Sequence, residues 1–261
     1  VLVRILKDAI LTKSREGEVY KIIERRKNII TGIYQQNDNF GFVLPRENMG
    51  RDIYVSRKKT KGAKNGDLVA VRIYFWGDEE RKPEGEIISI LGDPQNTEAL
   101  INGILINNGI SETFSDEIEN ELYKIEKPSA EEINSRRDLR DLKIITIDGS
   151  DAKDLDDAVY VEKTNKGYKL IVSIADVSYY VRENTKLDEE ALKRGNSIYL
   201  VDRVIPMLPR KLSNDLCSLN PNEDKLTFTA EIDFDEQGKV IKNDFYRSVI
   251  NSKYRMTYQK V

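Results

Sequence analysis

Apolar residues along this chain fall into two rhythms. From about Asn28 to Asp93 they come as brief runs (Ile29-Ile30, Phe42-Val43-Leu44, Ile53-Tyr54-Val55, Leu68 to Tyr74, Glu86 to Leu91) separated by Gly, Asn, Asp and Lys. Five short strands between turn-forming residues predict a small barrel of the oligonucleotide-binding type. After Asp93-Pro94 the rhythm changes. Leu100, Ile101, Ile104 and Leu105 recur at helical spacing before Asn108-Gly109, and Ser115-Asp116-Glu117-Ile118 opens a second helix reaching about Ile125. Lys127 to Asp138 is polar and reads as irregular. Lys143 to Ile147 and Ala158 to Val161 then predict two strands.

A repeat underlies the first part. Val1-Leu2-Val3-Arg4-Ile5 matches Val69 to Ile73, and Glu16-Gly17-Glu18-Val19 matches Glu84 to Ile87, both at a spacing of 68 residues. One common offset suits two copies of a small barrel rather than a solenoid. The expected organisation is therefore the end of a first barrel (1–27), a second barrel (28–93), a helical connector (94–126) and a further domain (127–261). On this reading the sequence is a fragment of a longer protein.

Composition narrows the chemistry. With 39% hydrophobic residues in 261, the chain can fill more than one core. No apolar run approaches the roughly 20 residues of a membrane helix and no secretory signal opens the chain, so a soluble, cytoplasmic protein without a membrane partner is expected. The net charge of −3 with 33% charged residues argues neither for nor against a polyanionic partner. Cys217 is the one cysteine, so no internal disulfide forms, and its apolar neighbours Leu216 and Leu219 point to a buried structural thiol. Histidine is absent, which excludes Ser-His-Asp and Cys-His catalysis within the chain and most zinc, copper and iron ligand sets. Carboxylates must carry any chemistry here.

Two clusters offer it. Alternation places Phe40 and Phe42 on one strand face around Gly41, with Tyr54 one turn later and Arg57, Lys58, Lys59, Lys61 and Lys64 just beyond. Any one of these rings read alone is ordinary core, and the lysines alone a solvated loop. Together they suit bases stacked on rings, with phosphates held by cations. The second cluster is Asp148, Asp151, Asp154, Asp156 and Asp157, set between two apolar strands. Charges so close repel unless cations neutralise them. A solvated acidic turn and a structural calcium loop are the plainer readings, although the EF-hand spacing is broken at Asp148-Gly149-Ser150-Asp151. Oxygen ligands on a turn suit one or two magnesium ions, which serve phosphodiester hydrolysis without histidine.

Asn39 to Val43 and Asp52 to Val55 resemble the two ribonucleoprotein motifs of the cold-shock domain, with Ser56 where histidine is usual. Ile147-Asp148-Gly149-Ser150-Asp151-Ala152-Lys153-Asp154-Leu155-Asp156-Asp157-Ala158 resembles the signature of the RNB family of exoribonucleases, the RNase II and RNase R group. The likeness continues through Ile174 to Ser178, Ala191 to Gly195, Ser197 to Leu200, Arg203 to Pro209, Leu212 to Pro221 and Met256-Thr257-Tyr258, and Asp148-Gly149 with Arg203 to Pro206 favours the RNase R branch. Departures fall at Ser173 and Tyr179, where the family commonly has histidine, and at Val201, where it has proline.

The resemblance implies a multidomain, mixed fold: an OB-fold (cold-shock) β-barrel followed by part of an α+β RNB catalytic domain. It implies that Asp148, Asp154, Asp156 and Asp157 hold magnesium and position the attacking water. It also implies that Phe40, Phe42, Tyr54, Lys58 and Lys59 bind RNA, and that Tyr199 packs against RNA near the scissile 3′ end; a core tyrosine is the other reading of that residue. The implied parent activity is processive 3′-to-5′ hydrolysis of single-stranded RNA to nucleoside 5′-monophosphates, with the present fragment inactive alone. The alternative is an RNA-binding protein whose nuclease site has decayed.

Overall fold

The computed structural model describes residues 1–7, 16–25, 27–47 and 49–261. The chain divides into two units, Val1–Ser111 and Glu112–Val261. In the first, β1 (Leu2–Lys7) and β2 (Glu16–Lys21) form an antiparallel hairpin. Strands β3 (Ile29–Gln36), β4 (Phe40–Pro45), β5 (Ile53–Ser56), β6 (Leu68–Phe75) and β7 (Glu84–Gly92) close a barrel in the order β3-β4-β5-β7-β6. Alternate inward positions fill it, with Val43, Ile53, Val55, Val69 and Val71 fully buried.

The hairpin repeats β6 and β7 in detail. Val3 pairs with Val19, Arg4 with Glu18 and Ile5 with Gly17, as Val71 pairs with Ile87, Arg72 with Glu86 and Ile73 with Gly85. The irregularities after Leu2 and Ile5 recur after Ala70 and Ile73. Arg4 bonds Glu18 at 3.3 Å, and Arg72 bonds Glu86 at 3.3 Å. Unlike its counterpart, the hairpin leaves Val3, Ile5, Val19 and Tyr20 exposed.

Helix α1 (Thr97–Asn107) starts at Asn96, whose side chain accepts from the Glu98 and Ala99 amides. Its last residue, Asn107, is buried and accepts from the Thr31 amide at 2.9 Å, fastening the helix to β3. This helix thus packs with the barrel, while α2 (Asp116–Tyr123) belongs to the second unit. The stretch 94–126 is accordingly divided between two bodies instead of forming one connector.

The polar stretch after Lys127 departs from the irregular expectation. It contains α3 (Ala130–Ser135), because the Ser129 hydroxyl accepts from the Glu132 amide at 3.1 Å and supplies the start that hydrophobic periodicity did not signal. Next come β8 (Arg137–Asp138), β9 (Ile145–Asp148), β10 (Asp157–Thr164), β11 (Gly167–Ala175), α4 (Val177–Tyr180), α5 (Lys186–Arg194), β12 (Ile198–Tyr199) and β13 (Val204–Ile205). A π-helical turn at Lys211–Leu216, β14 (Asp224–Phe234), β15 (Val240–Asn251) and β16 (Tyr254–Thr257) complete the unit. Seven strands make one sheet, ordered β16-β9-β10-β11-β14-β15-β8, with parallel pairing only at β16–β9 and β15–β8.

One face of this sheet is covered. Ala158, Ile171, Ala175 and Ile250 join Tyr180, Leu187, Leu212, Leu216, Cys217 and Leu219 in a single core. Cys217 is buried there, as its surroundings in sequence led us to expect. Ser173 lies in a buried hydroxyl row with Thr229, Ser248 and Thr227, joined at 2.8, 2.6 and 2.6 Å. Each of these buried hydroxyls thus has a hydrogen-bond partner within the row. No helix among the described residues is long and apolar enough to cross a membrane.

Candidate active site

Strand β9 ends on Asp148 and β10 begins on Asp157, so the acidic segment is a loop joining two antiparallel neighbours of the sheet. Loops of this kind stay in place only when their backbone groups are satisfied. Here Leu155 is buried in the core and accepts from the Leu219 amide at 2.8 Å. The Ser218 hydroxyl accepts from the Leu155 amide at 3.1 Å and donates to the Lys153 carbonyl at 2.9 Å. On the other side Arg255 Nη2 lies 3.2, 3.0 and 2.5 Å from the carbonyl oxygens of Gly149, Ser150 and Ala152. The loop is therefore pinned from β16 and from the segment after the π-helical turn.

That pinning brings the four sequence-selected carboxylates into one electrostatic group. Burial, then repulsion from Asp157 and Asp154, holds the Asp148 carboxyl above the usual carboxylate range, with Arg255 opposing. Burial, then Asp154, Asp157 and Asp148, does the same for Asp156. Asp148 Oδ2 is buried without a hydrogen-bond partner, an oxygen placed to accept a cation. An all-oxygen donor set with one orphaned oxygen fits magnesium. Among the described residues no three such groups converge as a ready-made metal cage.

Tyr199 is 67% exposed and so is not a core residue. Its hydroxyl donates to Asp154 Oδ2 at 2.9 Å, and this bond, followed by burial, raises the phenol's pKa so that it stays a donor. Asp154 and Tyr199 line a cleft of about 550 Å3 with Lys153, Arg203, Arg210 and Asn214. It has room for a nucleotide-sized group, with cations near the carboxylates.

In the first unit the Phe40, Phe42 and Tyr54 rings form one cluster, with centroids 5.5, 5.7 and 6.0 Å apart. Lys82 Nζ stands 4.6 Å from the Phe42 centroid. Lys58 is exposed on the short helical turn Arg57–Lys59, whereas Lys59 sits 3.7 Å over Tyr74 and not over the three rings. The sequence reading missed Lys82, Tyr74, Ser218 and Arg255. Ser218 and Arg255 lie inside or beside stretches that resembled the family, but their partners are more than 60 residues away in sequence.

Residues 136–261 match the RNB domain family and residues 42–115 the cold shock domain family. Ribonuclease R of Thermotoga maritima is 40% identical over 250 residues, covering 94% of this chain and 35% of the relative. The apo form of Mycoplasma genitalium RNase R has the same fold with a TM-score of 0.90 at 30% identity, covering 99% of this chain and 42% of that one. The same protein in complex with ribose-methylated single-stranded RNA gives a TM-score of 0.90 at 29% identity, again over 99% and 42%. The chain thus spans about a third of the length of the curated relative. Its cold-shock barrel followed by an RNB sheet, and its sequence identity across both, place it in the ribonuclease R family.

Proposed function

We propose that this chain is part of a 3′-to-5′ exoribonuclease in which Asp148, Asp154, Asp156 and Asp157 hold magnesium and direct water at the terminal phosphodiester. The observation that carries the reading is the group of mutually repelling carboxylates around the orphaned Asp148 Oδ2, beside a cleft lined by Lys153 and Arg210 as well as by Asp151 and Asp202. Magnesium at such a site lowers the pKa of an attacking water and stabilises charge at phosphorus and the leaving oxygen. Asp148 would supply a buried oxygen, its unpartnered Oδ2. Tyr199 would hold Asp154 in one orientation and offer its exposed ring to the terminal nucleotide.

The ring cluster of Phe40, Phe42 and Tyr54, with Lys82 beside Phe42 and with Lys58 and Lys59 on the turn that follows β5, would gather single-stranded RNA; stacking contributes about 1–3 kcal/mol per base. The complex of a relative with single-stranded RNA supports RNA as the partner. The matched registers and ion pairs of β1–β2 and β6–β7 support residues 1–27 as the end of a first barrel. The parent protein acts in the cytoplasm on this reading.

Digestion of 5′-labelled single-stranded RNA by the complete parent protein, with magnesium or EDTA and alongside Asp156→Asn, tests the proposal. Progressive shortening from the 3′ end that needs both magnesium and Asp156 supports it. RNA that is bound but left intact by the wild type would overturn it in favour of a binding protein with a decayed site.

A further inference from the structure

We propose that Arg255 is a positioning residue for the metal-binding carboxylates, acting through the backbone of the loop that carries them; the inference rests on the nuclease reading above. Strand β16 pairs in parallel with β9, setting Arg255 opposite Thr146 and Thr257 opposite Asp148. This places the guanidinium beside the turn that follows Asp148. There one nitrogen, Nη2, meets the carbonyl oxygens of Gly149, Ser150 and Ala152.

Three carbonyl dipoles converging next to four carboxylates make a strongly negative locus. Without a fixed cation those carbonyls would turn outward to water and carry the loop with them. Arg255 supplies that cation permanently, since a guanidinium keeps its charge at all working pH values. It needs no contact with metal or RNA to do so.

Ser218 performs the complementary task on the other half of the loop, bonding both Lys153 and Leu155 on either side of Asp154. Asp154, flanked by Ser218's two bonds, is also the carboxylate that Tyr199 holds. The loop is thus over-determined at the positions where a distance of a few tenths of an ångström decides metal geometry. Arg255 is the single charged member of that framework.

The test uses the complete parent protein carrying Arg255→Met or Arg255→Lys, with manganese as the probe. Binding is read by water-proton relaxation without RNA, together with thermal midpoints and the kcat and KM for single-stranded RNA. Loss of the clamp should weaken manganese binding and lower kcat by about 10- to 100-fold in Arg255→Met. KM for RNA should change little, and Arg255→Lys, whose ammonium can face the same carbonyls, should recover most of the loss.

A folded Arg255→Met with wild-type manganese affinity and kcat would overturn the proposal. So would a variant that loses thermal stability while its folded fraction binds manganese normally. If Arg255→Met does not fold, Arg255→Gln is read by the same titration. If the wild type binds manganese but does not shorten RNA, the nuclease reading fails while the titration still decides the clamp.

Discussion

The hydroxyl of Tyr199 donates to Asp154 Oδ2 at 2.9 Å, linking β12 to the acidic loop across 45 residues of sequence. Tyr199→Phe keeps the ring and removes the donor, so it separates orientation of Asp154 from stacking on RNA. A hydrogen bond to a charged group contributes about 1.5–3 kcal/mol. We expect kcat in the complete parent to fall by roughly tenfold or more on that scale, with KM for RNA nearly unchanged. Tyr199→Ala should also change KM and the length of the final product. Equal kinetics for Tyr199→Phe and wild type would show that the bond does not position Asp154.

Gly41 illustrates how much of the barrel could be read from sequence and where reading stopped. The five strands were legible because each short apolar run is bracketed by turn residues, and alternation correctly put Phe40 and Phe42 on one face. The glycine between them was read as part of a stacking platform. In the structure a Cβ there would lie 2.3 Å from Cε2 of Tyr34, a buried ring on the neighbouring strand β3. The need for glycine comes from a partner seven residues away that no local pattern announces. Likewise the four aspartates stood out as a run, whereas Arg255 and Ser218 act through folded proximity.

The substitution Gly41→Ala should therefore destabilise the barrel by about 1–3 kcal/mol through overpacking. Urea denaturation of the wild type, Gly41→Ala and the double variant Gly41→Ala/Tyr34→Leu checks this. The double variant should lose less than the sum of the separate changes if the ring is the cause.

Arg136 and Asp176 form an ion pair of 2.7 Å, with only 2% and 5% of their side chains exposed. Replacing Asp176 by Ala leaves the buried guanidinium with Glu132 as its remaining carboxylate partner and should cost less than the roughly 3–5 kcal/mol of a fully unpaired buried charge. Burial alone would raise the Asp176 carboxyl, but hydrogen bonds from Ser178 and Arg136 outweigh it and hold the group below the usual range. The unfolded chain then takes up the proton more readily than the folded one. The stabilisation is complete above the unfolded carboxylate value, about pH 4, and is lost as pH falls through the lower folded value. Thermal midpoints between about pH 2 and 6 should fall less steeply with acid in Asp176→Asn than in the wild type.

Cys217 gives the opposite sign at the alkaline end. Burial, followed by the nearby Asp156 charge, pushes its thiol up to about 12. The folded state binds this proton more tightly, so the contribution to stability is full below the unfolded thiol value of about 8.5 and declines as pH rises towards the folded one. A disulfide reagent at about pH 8 should label Cys217 slowly in the native protein and rapidly in denaturant. Rapid labelling of the native protein would place the thiol outside the core.

The second face of the seven-stranded sheet differs from the first. By register Val161, Leu170, Ile174, Phe228, Ile232 and Phe245 point to one side. Ile174, Phe228 and Phe245 keep 46%, 49% and 61% of their surface exposed. Contiguous apolar surface of this kind promotes association in water unless further protein covers it. Residues 1–261 expressed alone should therefore bind a hydrophobic dye and self-associate, and Phe245→Lys should reduce both, because a charge on an open face opposes apposition. In a complete parent of the length of the curated relative, which is about three times as long as this chain, the same substitution should instead lower the thermal midpoint if additional chain packs on this face. A parent protein indifferent to Phe245→Lys would mean that the face stays open there as well.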